Sequence, residues 1–209
     1  MVPTPRRDER QNSRRNARRE TNRAEILDAA EIVFAQTGIH NASMRSIAAE
    51  AGFSPAAMYL FFEGRQHLLA ATLTRRGDEL NELLTATVAE APEPLAALHA
   101  VIDATLAFFA RRTEFRQMLR ELRGGPAIMG PALADHAEAV DQRLAHAAKL
   151  LSGVIADGQK SGVLRSGNPH LFAHLYMVLV NEFVYLAAQP TNDFATEDLH
   201  HVVDGALRA

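Results

Sequence analysis

Apolar positions recur along this chain at intervals of three and four, and no stretch alternates with period two for long enough to predict a strand. Asn22 caps the first periodic segment, with Glu25 three residues on as its reciprocal capping partner. Ile26, Ala29, Ala30, Val33, Phe34 and Thr37 then share one helical face, and Gly38 supplies a left-handed stop. Ser43 caps a short second helix with an apolar stripe at Met44, Ile47, Ala48 and Ala51. Gly52-Phe53 forms a turn, Ser54 caps a third helix with Pro55 at its first position, and that helix ends near Phe62 before Gly64. A long helix is predicted over 65–90. Pro92 and Pro94 then separate a head from a body.

In the body, helices are predicted over 94–111 and 113–123, a loop from Gly124 to Pro131, a long helix over 131–160, and turns at 161–167. Asn168 caps the next helix, with Pro169 at its first position; it runs to about Ala188, and the last helix covers 194–208. The fold class is all-α, with about nine helices. The organisation predicted is a basic arm over 1–21, a helical head over 22–69 and a larger body over 70–209.

Charge sharpens this division. Residues 1–70 carry ten Arg against eight acidic residues, whereas residues 71–209 carry an acidic excess, so a polyanion is expected to meet only the N-terminal part. Residues 1–20 hold seven Arg and no Ile, Leu or Phe, and are read as a disordered arm, either a solvated tail or a polyanion contact. The chain has no cysteine, which excludes disulfides, thiolate metal sites and thiol nucleophiles. No apolar leader stands at the start, so a cytoplasmic protein is expected.

The informative stretch is 43–62. Two short helices around the turn at Gly52, with small residues Ala48, Ala51, Ala56 and Ala57 to let them pack closely, have the form of a helix-turn-helix. The same corner also occurs as plain structure. The wider pattern from Arg23 to Leu69 resembles the TetR family of bacterial transcriptional regulators. It comprises Ile26 to Ala30, Phe34, Gly38, Ser43, Arg45, Ile47, Ala48, Ala51, Gly52, Ser54, Tyr59, Phe61, Phe62, Leu68 and Leu69. The chain departs from that pattern at Pro55-Ala56-Ala57, Leu60 and Glu63-Gly64-Arg65-Gln66. Its recognition helix therefore offers few long polar side chains, and Glu63 opposes phosphate, which shifts affinity toward the basic arm.

The resemblance implies DNA binding through Ser43 and Arg45 at the start of the second helix, and through Ser54, Pro55, Ala57 and Tyr59 on the groove-facing side. There Ala57 would meet a thymine methyl and Tyr59 a phosphate. Arg65 would take a phosphate role. The alternatives are a core aromatic for Tyr59 and a solvated cation for Arg45. Arg14, Arg15, Arg18 and Arg19 are candidates for an adjacent minor groove.

Residues 171–188 are apolar at fifteen of eighteen positions, broken by His174, Asn181 and Glu182. This is either a membrane span or a helix covered on both sides, and the two adjacent polar groups favour the second. With the stripe at Leu199, Val202, Val203, Ala206 and Leu207, it suits a homodimer interface, which would hold two recognition helices about 34–36 Å apart on a pseudo-palindrome.

A small, mainly apolar effector is expected among the middle helices. Phe108, Phe109, Phe115, Met118, Met129, Tyr176, Met177 and Tyr185 are candidate walls, and His99, Asp103, His136 and Asn181 candidate anchors; ordinary core packing is the competing account. His170 and His174 have metal-ligand spacing but no evident third ligand, and nothing calls for a cofactor or a catalytic nucleophile. The predicted function is a ligand-responsive DNA-binding regulator, most simply a repressor, and not an enzyme. The alternative is an all-α small-molecule-binding or metal-dependent protein whose head merely packs.

Overall fold

The computed structural model describes residues 7–124, 137–189 and 191–209. Met129, His136 and the predicted loop after Gly124 lie outside them. Nine helices and no strand occur among the described residues. They are α1 (Arg7–Thr37), α2 (Met44–Glu50), α3 (Pro55–Met58), α4 (Arg65–Glu90), α5 (Pro94–Ala110), α6 (Thr113–Gly124), α7 (Ala137–Lys160), α8 (Pro169–Leu186) and α9 (Thr196–Leu207).

The boundaries follow from local chemistry. Ser43 accepts from the Ser46 backbone N–H, and the Ser46 hydroxyl accepts in return from the Ser43 N–H, both at 3.0 Å. The Asn168 side chain accepts from the N–H groups of His170 and Leu171. Gly38 and Gly52 end α1 and α2 in the left-handed region, at φ 85° and 71°.

One expectation fails at the other end of α1. From Arg7 onward the arm is helical, not disordered, and Asn22 lies inside α1 instead of capping it. From Arg7 to Asn22 there is no glycine or proline, and Arg, Gln, Glu and Ala are strong helix formers. A helix already nucleated by the buried turns from Ile26 onward propagates back through them at little cost.

Two apolar cores organise the molecule. The first gathers α1, α2, α3 and the start of α4, and draws in Phe108, Phe109, Phe115, Met118 and Val184 from α5, α6 and α8. The second gathers Leu84 with α5, α7, α8 and α9. Leu80 and Leu106 pack against both. The break at Pro92 and Pro94 is therefore a turn between α4 and α5, not a linker separating head from body. The C-terminus is pinned to the turn after α7: Arg165 donates to the Leu207 carbonyl and Ala209 to the Val163 carbonyl, at 2.9 and 3.1 Å.

No single described helix is long and apolar enough to cross a membrane. In α8, Ala173, Tyr176, Val180 and Val184 face the core, while Leu171, Leu175, Val178 and Leu179 stand exposed. With Val202 of α9, about half exposed, they leave an uncovered apolar surface on the body.

Candidate nucleic-acid interface

The corner near Gly52 is built from its buried side. Ile47, Ala48, Met58 and Phe62 are in the first core. The Phe53 N–H donates to the Ala48 carbonyl at 2.8 Å, closing the turn. The Ser54 hydroxyl accepts from the Ala57 N–H at 3.2 Å, and turn bonds carry the chain on through Leu60, Phe61 and Phe62. Met58 and Phe62, four apart, anchor one side of α3 and its extension. The other side is left to solvent: Ser54 and Pro55 are exposed, Ala57 is half-buried, Tyr59 is 58% exposed and Leu60 73% exposed.

Ser43 and Arg45 lie at the start of α2 and are also exposed. Ser43 is a cap as well, its hydroxyl occupied by Ser46. Tyr59 is not a core aromatic. Arg65 departs from expectation: it is half-buried, and its guanidinium donates to the Ile39 carbonyl. That contact ties the start of α4 to the α1–α2 turn, so the side chain positions the head. Arg23 of α1 lies over the Phe62 ring, 5.1 Å from its centre, and braces the far end of the same unit.

Further contacts, invisible to sequence reasoning, hold this unit to the body. The Ile39 N–H lies 2.9 Å from each carboxylate oxygen of Glu121 on α6, and the Gln117 amide donates to the Ala35 carbonyl at 2.8 Å. Glu31 on α1 is 4% exposed and accepts from Arg76 on α4 at 2.7 Å. Arg76 also pairs with Glu79, which pairs with Arg112 at the end of α5. Burial opposes the charge on Arg76, but hydrogen bonds to Glu31 and Glu79 more than offset it and raise its pKa above the ordinary guanidinium value. Arg75 joins the set through Asp28 at 2.8 Å. Only the Arg76–Glu79 spacing along α4 is visible locally; the rest is long-range.

The candidate effector residues are not gathered round one cavity. Phe109 stacks on Phe115 with centres 5.9 Å apart, and both belong with Met118 to the first core. Tyr176 is buried in the second core; burial pushes its pKa up, and its hydroxyl donates to the Leu98 carbonyl at 2.6 Å. Met177 packs against that core, and Asn181 is exposed. His99 and Asp103 join α5 to α9: His99 meets Asp204 at 2.7 Å, His200 meets Asp103 at 3.0 Å, and the imidazoles stack 4.4 Å apart. His170 and His174 are exposed, and the described residues contain no group of three or more acidic or histidine side chains that could hold a metal.

Two open clefts flank the head. One, of about 840 Å³, lies between α6 and the end of α8 and is lined by Arg116, Gln117, Arg120, Glu121, Glu182 and Tyr185, among others. The other, of about 540 Å³, lies between the start of α1 and the residues following α3.

Residues 26–72 match the family model described as bacterial regulatory proteins, tetR family. The HTH-type transcriptional regulator BetI of Brucella melitensis is 35% identical over 95 residues, a stretch that spans 46% of this chain and 46% of that protein. Among solved structures, the transcriptional regulator FadR of Bacillus subtilis in complex with stearoyl-CoA superposes with a TM-score of 0.72 at 20% identity, covering 86% of this chain and 94% of that one. AibR in complex with isovaleryl coenzyme A and operator DNA superposes with a TM-score of 0.69 at 19% identity, covering 88% and 97%. At such identities these structures share the fold.

Proposed function

We propose that this chain, whose residues 26–72 match the tetR family model, is a cytoplasmic, homodimeric, ligand-responsive regulator of that family that represses by binding a pseudo-palindromic operator. The observation that carries this reading is the solvent-facing side of α3 and its extension, where Ser54, Pro55, Tyr59 and Leu60 are exposed on a helix anchored only from behind. Burying Leu60 against a base step or a thymine methyl removes an apolar surface left 73% exposed among the described residues. Arg45 supplies a charge to the backbone strand, and the capped start of α2 supplies N–H groups to a phosphate. The operator-contacting set is Ser43, Arg45, Ser54, Pro55, Ala57 and Tyr59; Arg65 acts by holding the α1–α2 turn. The DNA-binding unit is assigned to 22–69 and the ligand-binding and dimerisation body to 70–209.

Dimerisation buries the exposed apolar side chains of α8, Leu171, Leu175, Val178 and Leu179, with Val202 of α9. The effector site is assigned to the cleft between α6 and α8. Two of its lining residues reach the head: Glu121 holds the α1–α2 turn and Gln117 the last turn of α1. A ligand seated there competes for those side chains or displaces α6, and the head follows. Such a ligand acts by preferring the state that does not bind operator. Phe109 and Met118 lie on the buried side of the α5–α6 corner and can receive an apolar tail. Stearoyl-CoA and isovaleryl coenzyme A, bound by structural relatives, are the first compounds to try. The decisive experiment is selection of bound sequences from a random duplex pool. An enriched palindrome supports the reading; a folded protein that enriches nothing overturns it.

A further inference from the structure

Before Asn22, the described side chains of α1 bury nothing. From Gln11 to Thr21 every residue is exposed, and Ala17 is the single apolar residue. Arg14, Arg15, Arg18 and Arg19 are all exposed, with Glu20 the only acid in this stretch. A highly charged helix that buries nothing is kept by its continuity with the buried turns after Asn22, and such a projection needs an external partner to be of use.

Its position says which partner. Asn12, Arg15, Arg19 and Asn22 stand three, four and three positions apart, and Asn16 stands four from Asn12 and three from Arg19, so the five share a face. With Arg18 they line the cleft of about 540 Å³, whose opposite wall is Leu60 and Phe61, directly after the recognition helix α3. No carboxylate lines this cleft. Guanidinium and amide groups beside a DNA-reading element are the chemistry that accepts phosphate oxygens.

We infer that the N-terminal half of α1 is a second DNA-binding element, a rigid rail that grips the sugar–phosphate strand beside the groove read by α3. This rests on the DNA-binding reading above. Being helical decides how it docks. An α-helix with its side chains is about 10–12 Å across, and the minor groove of B-DNA is about 6 Å wide, so the rail cannot enter that groove as a flexible arm would. It lies outside, along the backbone. Its contacts are therefore with phosphates and carry charge but little sequence information.

The test uses the full chain with Arg14, Arg15, Arg18 and Arg19 all changed to Ala, which keeps helix propensity and touches no buried group. Binding to the selected duplex and to a random-sequence duplex is measured between about 50 and 200 mM salt. Each lost phosphate contact flattens the slope of log affinity against log salt by about 0.9. The variant is expected to lose at least tenfold in affinity at the low-salt end on both duplexes and to flatten the slope by about 2–4 per head, with its ranking of sequences unchanged. A second variant with the four arginines changed to Lys is expected to recover most of the slope. If the Ala variant, melting at the wild-type temperature, binds with wild-type affinity and slope, the rail is refuted and the regulator reading stands. If its ranking of sequences changes instead, the element reads bases and the phosphate assignment is refuted. A folded wild-type chain that binds neither duplex refutes both.

Discussion

The backbone N–H of Ile39 points between the two carboxylate oxygens of Glu121, 2.9 Å from each, across eighty-two positions of sequence. On the other side of the same residue, the Ile39 carbonyl accepts from Arg65. One residue in the α1–α2 turn thus joins α6 of the body to the start of α4. A displacement of α6 is expected to reach the helix-turn-helix through it, because the bond is charge-assisted and part-buried.

Changing Glu121 to Ala is expected to lower stability by about 1–3 kcal/mol and to speed amide exchange at Ile39. It should also shrink the effect of any effector on DNA affinity, since the link is cut. Glu121→Gln keeps one acceptor and is expected to fall between. Thermal melting, amide exchange and operator titration with and without ligand measure these. Unchanged exchange at Ile39 would contradict the linkage.

Gly38 and Gly52 both hold positive φ, so an alanine at either is expected to cost about 1–2 kcal/mol in urea unfolding. Gly38→Ala is expected to cost more than Gly52→Ala. A Cβ at Gly38 would sit 3.2 Å from Glu121 Oε1, whereas one at Gly52 meets open space. Equal costs would mean that the Glu121 carboxylate gives way freely.

Arg45→Ala and Tyr59→Phe are expected to leave melting unchanged, because both side chains are exposed, and to weaken operator binding by about 1–3 kcal/mol and about 1 kcal/mol respectively. Arg65→Ala is expected to do the reverse in order: stability falls first, through the lost Ile39 contact, and binding follows. Parallel melting and titration of the three variants separate reading residues from a positioning one.

Leu175→Arg combined with Val178→Arg is expected to give a folded monomer by sedimentation and to weaken operator binding by removing the second head. Both positions are about half exposed, so neither change opens the core. A variant that sediments like the wild type would place the interface elsewhere.

Glu31→Gln is expected to destabilise by about 3 kcal/mol, because it leaves the half-buried Arg76 short of a counter-charge. Chemical denaturation tests it, and a loss under about 1 kcal/mol would show that Glu79 compensates alone.

Helix boundaries are legible in this sequence because their causes are local. Ser43, Ser54 and Asn168 cap within three residues of themselves, Gly38 and Gly52 accept a conformation other residues resist, and Pro169 suits a first turn. The exposed side of α3 follows from equally local geometry: with Met58 and Phe62 in the core, the helix turns Tyr59 and Leu60 outward. The form of residues 7–21 is misread when charge is weighed above helix propensity, since charge indicates what binds a segment and not whether it is a helix.

What the sequence determined by itself is therefore the set of helices, the helix-turn-helix and its outward face, all products of interactions spanning a few residues. Only the tertiary structure decided that Arg65 holds a carbonyl, that Gln117 and Glu121 join the body to the head, and that the supposed effector residues are divided between two cores. Those contacts join groups twenty-six to eighty-two positions apart, and no periodicity along a chain encodes which distant partner a hydrogen-bonding group will find.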